Sequence, residues 1–348
     1  MYFVLKNVPP PIIRFVPLIK NCPFDDEKSR HTLATHGLIF QEDFLTDLRI
    51  AGRKAKKHWQ FYVIILLPLL YLIIFKYIPM FGLQIGFKQY RVSKGIWGSE
   101  WVGLKNFIRF FSSPSSMQII WNTISLSLYS ILISFPFAII LAVALNEAAS
   151  KRYKKFTQMI TYMPYFISTV VLVSMIIQFT DTRMGLVNHF IGLFGMKPVN
   201  FMAKPDLFRH IYVWTNVWQT TGYNAIIYLA ALTTIDPQLY EAAKVDGCSR
   251  VQKILHIDLP GIQSTVIILL ILNMGYVMSI GFEKAYLMQN GLNLQTSEII
   301  STYIYRIGLI NSDFSFSTAV GFFNSIINLV LLLTVNKLAR KTGETGLW

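Results

Sequence analysis

Charge is scarce in this chain of 348 residues. Only 14% are Asp, Glu, Lys or Arg, against about 25% in an ordinary soluble domain. The shortfall is concentrated in long apolar runs, 53% of residues are hydrophobic and mean hydropathy is +0.45. That pattern excludes a soluble globular fold and points to a polytopic membrane protein. Cysteine is nearly missing: Cys22 and Cys248 stand outside any CxxC or His-rich setting, which excludes a disulfide framework or a metal centre. The histidines are scattered and HExxH does not occur, so no membrane-embedded metalloenzyme is indicated. The P-loop pattern GxxxxGK(S/T) is also missing, so any ATP-driven motor belongs to another chain. Asp, Glu and His do not occur near the centres of the apolar runs. A secondary transporter commonly needs such a group or a broken helix, and the linear sequence displays neither.

What is present is a series of apolar segments. A bilayer core of about 30 Å takes about 20 helical residues, and six segments reach that length: 59–80, 119–145, 156–179, 208–232, 263–281 and 318–338. The expected fold is all-α, with six transmembrane helices. The net charge of +14 raises nucleic acid as a partner. However, Lys and Arg cluster beside the apolar segments, where they orient a membrane protein. The expected surroundings are membrane lipid, with no nucleic acid. Arg53, Lys54, Lys56 and Lys57 precede the first segment, and Lys151, Arg152, Lys154 and Lys155 follow the second. Lys244, Arg250 and Lys253 follow the fourth, and Lys337, Arg340 and Lys341 follow the sixth. Six passages put all these groups on one side, the cytoplasm, together with both termini. Lys76 fits a snorkelling lysine. Residues 1–48, with the Pro9-Pro10-Pro11 triplet, read as a poorly ordered leader or an over-long start, and residues 49–348 as the transmembrane domain.

The link between the fourth and fifth segments, residues 236–261, reads IDPQLYEAAKVDGCSRVQKILHIDLPGI with its flanks. Asp236-Pro237 starts a short helix containing Glu241, Ala242 and Ala243. Gly247 permits a sharp turn, and Val251, Ile254, Leu255 and Ile257 recur at helical spacing. Leu259-Pro260-Gly261 ends the second stretch. The spacing predicts a compact helix–turn–helix, with small residues where a partner approaches and a carboxylate for pairing.

The ordered series Glu241, Ala242, Ala243, Gly247, Ile257, Leu259 and Pro260 resembles the EAA motif of permease subunits of binding-protein-dependent ABC importers. The resemblance runs from about Trp59 to Trp348 and is nearest to maltose-type permeases, in the branch that imports complex oligosaccharides, including alginate. FKYIPMFGLQIGFKQY, TYMPYFISTVV, SIGFEKAYLMQN and the terminal GLW carry it. It implies the type I importer permease fold in the bacterial cell membrane, with 236–261 as the coupling helix that docks on an ATPase. It also implies a second homologous permease, two ATPase subunits that bind ATP and Mg, and an extracellular sugar-binding protein. The chain itself is expected to hold no cofactor and to catalyse no reaction. The rival readings are an importer for a non-sugar solute and a secondary transporter.

Maltose-type permeases bind sugar with the two passages that flank the EAA loop. Carried over without gaps, the positions fall on Asn216, Gln219, Thr220, Tyr223, Asn273 and Tyr276, with Val277 and Ile280 where the maltose permease has asparagine. Amide and hydroxyl groups suit vicinal sugar hydroxyls, and the faces of Trp214, Trp218 and Tyr223 suit a pyranose ring. Helix packing and interface belts account for the same residue types. Asn122 and the serines at 125, 127, 130 and 134 fit helix packing. The aromatic and basic stretch GLQIGFKQYRVSKGIWGSEWVGLKNF suits either contact with the binding protein or packing on the bundle.

Overall fold

The computed structural model describes residues 57–341; the expected leader, 1–48, lies outside them. The described residues divide into two compact units, one ending at Ile78 and the other beginning at Pro79. The first unit contains α1, Trp59–Leu72, which is apolar on every side and continues through a π-helical turn, Ile73–Tyr77. A helix of that kind belongs in lipid. The helical run Trp59–Phe87 has 29 residues, about 43 Å at 1.5 Å per residue and so ample for a bilayer core.

The second unit is built on two long helices, α2, Ser116–Glu147, and α5, Pro205–Leu232. They lie side by side and run the same way. Asn122 meets Arg209 near their first turns, Ser134 meets Asn216 midway, and Ala142 and Leu145 pack with Leu229 and Leu232 near their last. Small residues bring α5 close to α3, Lys151–Tyr162: a Cβ at Gly222 would collide with the Thr161 carbonyl. Helix α9, Phe314–Lys341, closes the unit. Phe316 and Val320 share an apolar cluster with Phe110, Ile119, Met278, Ile300 and Tyr303.

The aromatic and basic stretch that follows α1 packs on the bundle. Gly86 lies so close to Ala319 that a Cβ would meet its backbone at 3.1 Å. Phe87 contacts Trp101, Phe107 and Phe322, and Asn106 donates to the Gly86 carbonyl. A two-residue antiparallel pair, β1 Lys88–Gln89 with β2 Glu100–Trp101, ties the stretch together.

Two of the expected passages are broken, which the linear sequence did not reveal. The segment expected at 156–179 is α3 with the turn Met163–Phe166, followed by α4, Thr169–Phe179, and the two limbs bend by 97°. Pro164 lies in the break and Ser168 caps α4 by accepting from Val171 N. Helix α4 alone, with 11 residues, spans about 16 Å, half a bilayer core. The segment expected at 263–281 ends early: α8, Gln263–Met274, gives way to a 3-10 turn at Val277–Ser279, and bends by 59° against the preceding limb, Arg250–Gly261. Side chains satisfy the freed backbone there: Ser127 donates to Val277 O, and Asn328 accepts from Met278 N at 2.9 Å. Broken helices at membrane depth are tolerated where neighbours supply such partners. Among the described residues, three helices are thus long and apolar enough to cross a membrane unbroken, and counting each bent pair as one span brings the number to five. Helix α5, with 28 residues, is equally long but more polar, carrying Arg209, His210, Asn216, Gln219 and Asn224.

Candidate functional site: a capped loop and a polar cavity

At the end of the bundle where α2 and α5 finish, the chain forms the expected helix–turn–helix. Helix α6, Pro237–Val245, starts at Asp236, whose carboxylate accepts from Gln238 N at 2.9 Å. Proline at the first position loses no bond there. The helix ends with Cys248 N donating to Ala243 O at 2.9 Å and Gly247 N to Lys244 O at 3.3 Å. This paired closure requires a left-handed residue, and Gly247 has φ +71°. A Cβ at Gly247 would touch nothing, so its role is conformational, not steric. Ser249 and Gln252 then form a reciprocal cap on α7, Arg250–Lys253.

Of the residues singled out here, Glu241, Ala242, Gly247, Leu259 and Pro260 are exposed and Ala243 is buried. Glu241 forms no ion pair among the described residues. Between the two limbs lies a hollow of about 500 Å³, bordered by Ala243 and Gly247 and by the cationic Lys244, Arg250 and Lys253. Its surface is concave and basic, and it has a small residue at the floor.

Residues that the motif does not include brace this loop and fasten it to the bundle. Lys253 Nζ lies 2.5 Å from Glu147 Oε1, at the last residue of α2. Tyr240 Oη donates to Asp258 Oδ1 at 2.7 Å, and the Lys253 ammonium lies 5.5 Å from the Tyr240 ring centroid. Burial, and then the bond to Asp258, push the Tyr240 hydroxyl above its usual range. Ile235 and Ile254 pack on the cluster formed by Ala142, Leu145 and Leu232. Nothing in the sequence pairs Glu147 with Lys253, because each reads alone as a charge at the edge of an apolar run.

The six residues expected to meet a ligand separate into three groups. Asn216, Thr220 and Asn273 line one cavity of about 220 Å³ between α2, α5 and α8, together with Ser130, Ser134 and Asn224. Asn216 Nδ2 donates to Ser134 Oγ at 3.3 Å, so that serine both packs helices and lines the cavity. Gln219 and Tyr223 turn to the break between α3 and α4. There Gln219 Nε2 donates to Ile167 O at 3.1 Å, and Tyr223 stacks on Tyr165 with centroids 3.8 Å apart. Tyr276 stands in the turn after α8 and is 71% exposed, away from the cavity. Trp214 and Trp218 border an apolar hollow with Leu172, Ile176 and Phe179, outside the polar face of α5. Positions 216, 219, 220 and 223 recur at i+3 and i+4 and so share one broad face of α5; it is the neighbouring segments, Ser134 on one side and Tyr165 and Ile167 on the other, that divide them.

The sequence profile of the binding-protein-dependent transport system inner membrane component family matches residues 134–344. The chain belongs to this family. That match begins in the second half of α2 and ends beyond α9, so the loop falls within the family's region, as does the lining of the polar cavity apart from Ser130 and Ile131. In Bacillus subtilis, the polygalacturonan/rhamnogalacturonan transport system permease protein YteP is 44% identical over 315 residues, 90% of this chain and 97% of that one. Protein LplB of the same organism is 39% identical over 300 residues, 86% of this chain and 94% of its own. A chain in the crystal structure of a bacterial alginate ABC transporter, in complex with an alginate pentasaccharide-bound periplasmic protein, superimposes with a TM-score of 0.79 at 38% identity. That superposition covers 85% of this chain and 99% of the other. As a member of this family, the chain is a membrane-embedded subunit of a binding-protein-dependent importer, with the all-α type I permease fold.

Proposed function

We propose that the protein is the permease subunit of an ATP-driven oligosaccharide importer, and that residues 236–261 are the element through which the ATPase drives it. The observation that carries this reading is the capped, glycine-turned loop fastened to the last turn of α2. A push on α6 reaches α2 through Lys253–Glu147, and reaches α5 and α8 directly through the chain on either side. Exposed Glu241 offers its carboxylate to a basic residue of the ATPase, and Ala243 and the hollow beside it receive the partner's surface. A second, homologous permease completes the path, two ATPase subunits bind ATP and Mg, and an extracellular binding protein delivers the saccharide. The ends of α2, α5 and α9 that carry the cationic clusters face the cytoplasm. The names of relatives support a carbohydrate, and polygalacturonan, rhamnogalacturonan and alginate are all acidic polymers. Asn216, Thr220 and Asn273 bind saccharide hydroxyls in the polar cavity, and Gln219, Tyr223 and Tyr276 contribute where the second permease closes the path. Closure of the ATPases rocks the bundle between outward-open and inward-open forms.

Two measurements test this. With Cys22 replaced by serine, a membrane-impermeant maleimide should label Cys248, exposed in the turn, only from the cytoplasmic side. Uptake of an oligosaccharide into proteoliposomes holding the complete importer should require both ATP and the binding protein. Labelling from outside, or uptake by this chain alone, would overturn the assignment. Stimulation of ATP hydrolysis by sn-glycerol 3-phosphate, the solute named for 28% identical relatives, in place of a saccharide would establish the non-sugar alternative.

A further inference from the structure

At the end of the bundle opposite the coupling loop, a half-buried cation has no counter-ion among the described residues. Arg209 lies in the second turn of α5 and donates from Nη2 to Asn122 Oδ1 at 2.9 Å. Its Nε is enclosed and unpartnered, and it forms no ion pair among the described residues. The adjoining acid does not serve it. Asn122 bonds to the Glu298 carbonyl, but the Glu298 carboxylate pairs with Arg306. Withdrawing a guanidinium from water without a compensating charge is costly. A cation held in that way attracts an anion that arrives from elsewhere.

The surroundings provide space for one. Arg209 borders a cavity of about 360 Å³ with Ser125, Tyr129, Asp206, His210 and Thr296. His210 Nδ1 and Tyr129 Oη lie 2.9 Å apart, so the imidazole is fixed in place beside the guanidinium. Thr296 donates to Pro205 O at 2.7 Å and closes one wall. Asp206 is the only acid on the lining. It is exposed in the first turn of α5, where water screens it and the helix terminus favours it. The same two helices continue into the polar cavity: Tyr129 and Ser130 are neighbours on α2, and Arg209 precedes Asn216 by about 10 Å along α5.

We propose that this cavity is an anion subsite on the entry path, where Arg209, with His210 beside it, receives the carboxylate of a uronic-acid unit. The saccharide then passes along α2 and α5 to the amides at Asn216 and Asn273. The proposal rests on the oligosaccharide-permease reading and narrows its substrate to acidic saccharides. An uncharged saccharide gains nothing from Arg209. A phosphate ester shares the oxyanion chemistry, and the test separates the two.

The experiment uses the complete importer in nanodiscs, arrested with ATP and vanadate after delivery by the binding protein. Radiolabelled trigalacturonate retained per complex is counted, and sn-glycerol 3-phosphate is run in parallel. Wild type should retain trigalacturonate and not the phosphate ester. Arg209→Gln should lower retention about tenfold or more, the size of one charge-assisted hydrogen bond. Ser125→Asp leaves the Arg209 network intact and puts a repelling carboxylate in the cavity, and should do the same. Arg209→Lys keeps the positive charge but loses the guanidinium fork, and should lower retention clearly less than Arg209→Gln. Unchanged retention in Arg209→Gln or Ser125→Asp overturns the subsite. So does a loss in Arg209→Lys as deep as in Arg209→Gln, which marks a structural role, and so does retention of the phosphate ester in place of the uronide. A wild-type complex that holds no saccharide refutes the permease reading itself, whereas equal retention by wild type and variants refutes only the subsite.

Discussion

The ammonium of Lys253, inside the loop between α5 and α8, lies 2.5 Å from the carboxylate of Glu147, the residue that ends α2. Both side chains are partly buried, at 27% and 16% exposure, so the pair is screened less than a surface ion pair worth about 0–1 kcal/mol. It links the loop to a helix that is remote in sequence. Glu147→Gln or Lys253→Met should cost about 1 kcal/mol in stability while lowering ATP-driven uptake far more. The exchanged pair, Glu147→Lys with Lys253→Glu, should recover much of the uptake. The check is uptake measured beside ATP hydrolysis stimulated by the loaded binding protein; equal uptake in all variants would remove the mechanical role of the pair.

Beside that pair, Asp258 is fully buried, with Oδ1 held by Tyr240 and Oδ2 unpartnered. Tyr240→Phe removes its one partner. The cost should be about 1–3 kcal/mol, seen as a lower melting temperature of the detergent-solubilised complex. Tyr240→Phe together with Asp258→Asn should be milder than the single change, because no carboxyl then remains buried without a partner.

Gly247 gives a prediction with a sign that depends on the substituent. Its left-handed backbone costs an ordinary L-residue about 1–2 kcal/mol, and asparagine tolerates that region best. Since no atom crowds the position, Gly247→Asn should retain most uptake. Gly247→Val should lose it without loss of membrane insertion, measured by membrane fractionation and uptake on the same cells. Equal uptake by the two variants would contradict a conformational role for this glycine.

The exposed carboxylate of Glu241 makes no internal ion pair among the described residues. Glu241→Ala should therefore leave the stability within about 0.5 kcal/mol of wild type and abolish stimulated ATP hydrolysis. Normal stimulation in this variant would place the ATPase contact elsewhere.

The polar cavity and the apolar hollow lie on different faces of α5, which permits a controlled comparison. Asn216→Leu and Asn273→Leu remove donors and fill space in the cavity of about 220 Å³. Each should reduce uptake about tenfold. Trp218→Leu, on the apolar face, should reduce it less than threefold, roughly the effect of a surface change. A larger effect from Trp218 than from the two asparagines would move the translocation path to the other face.

Several features were legible from the chain alone because they depend on local chemistry. Apolar runs long enough to cross a bilayer mark helices whatever their neighbours. Asp236-Pro237 and Gly247 set a helix start and a turn within a few residues. The helix–turn–helix was therefore expected and is found. The breaks at Met163–Phe166 and after Met274 were not legible. Hydropathy sums apolarity along a segment and carries no direction, so a straight span and a bent one look alike. Whether a break is tolerated depends on Ser127 and Asn328, supplied by other helices.

The sequence by itself determined that the chain belongs in a membrane and that the element between α5 and α8 is bent, since both follow from residue type and short-range spacing. Only the tertiary structure decided which polar residues of α5 share a cavity and which turn aside, which acid holds Lys253, and that Arg209 pairs with none among the described residues. Those outcomes depend on the rotation of each helix about its axis and on contacts between residues far apart along the chain. Both are set by the packing of the whole bundle.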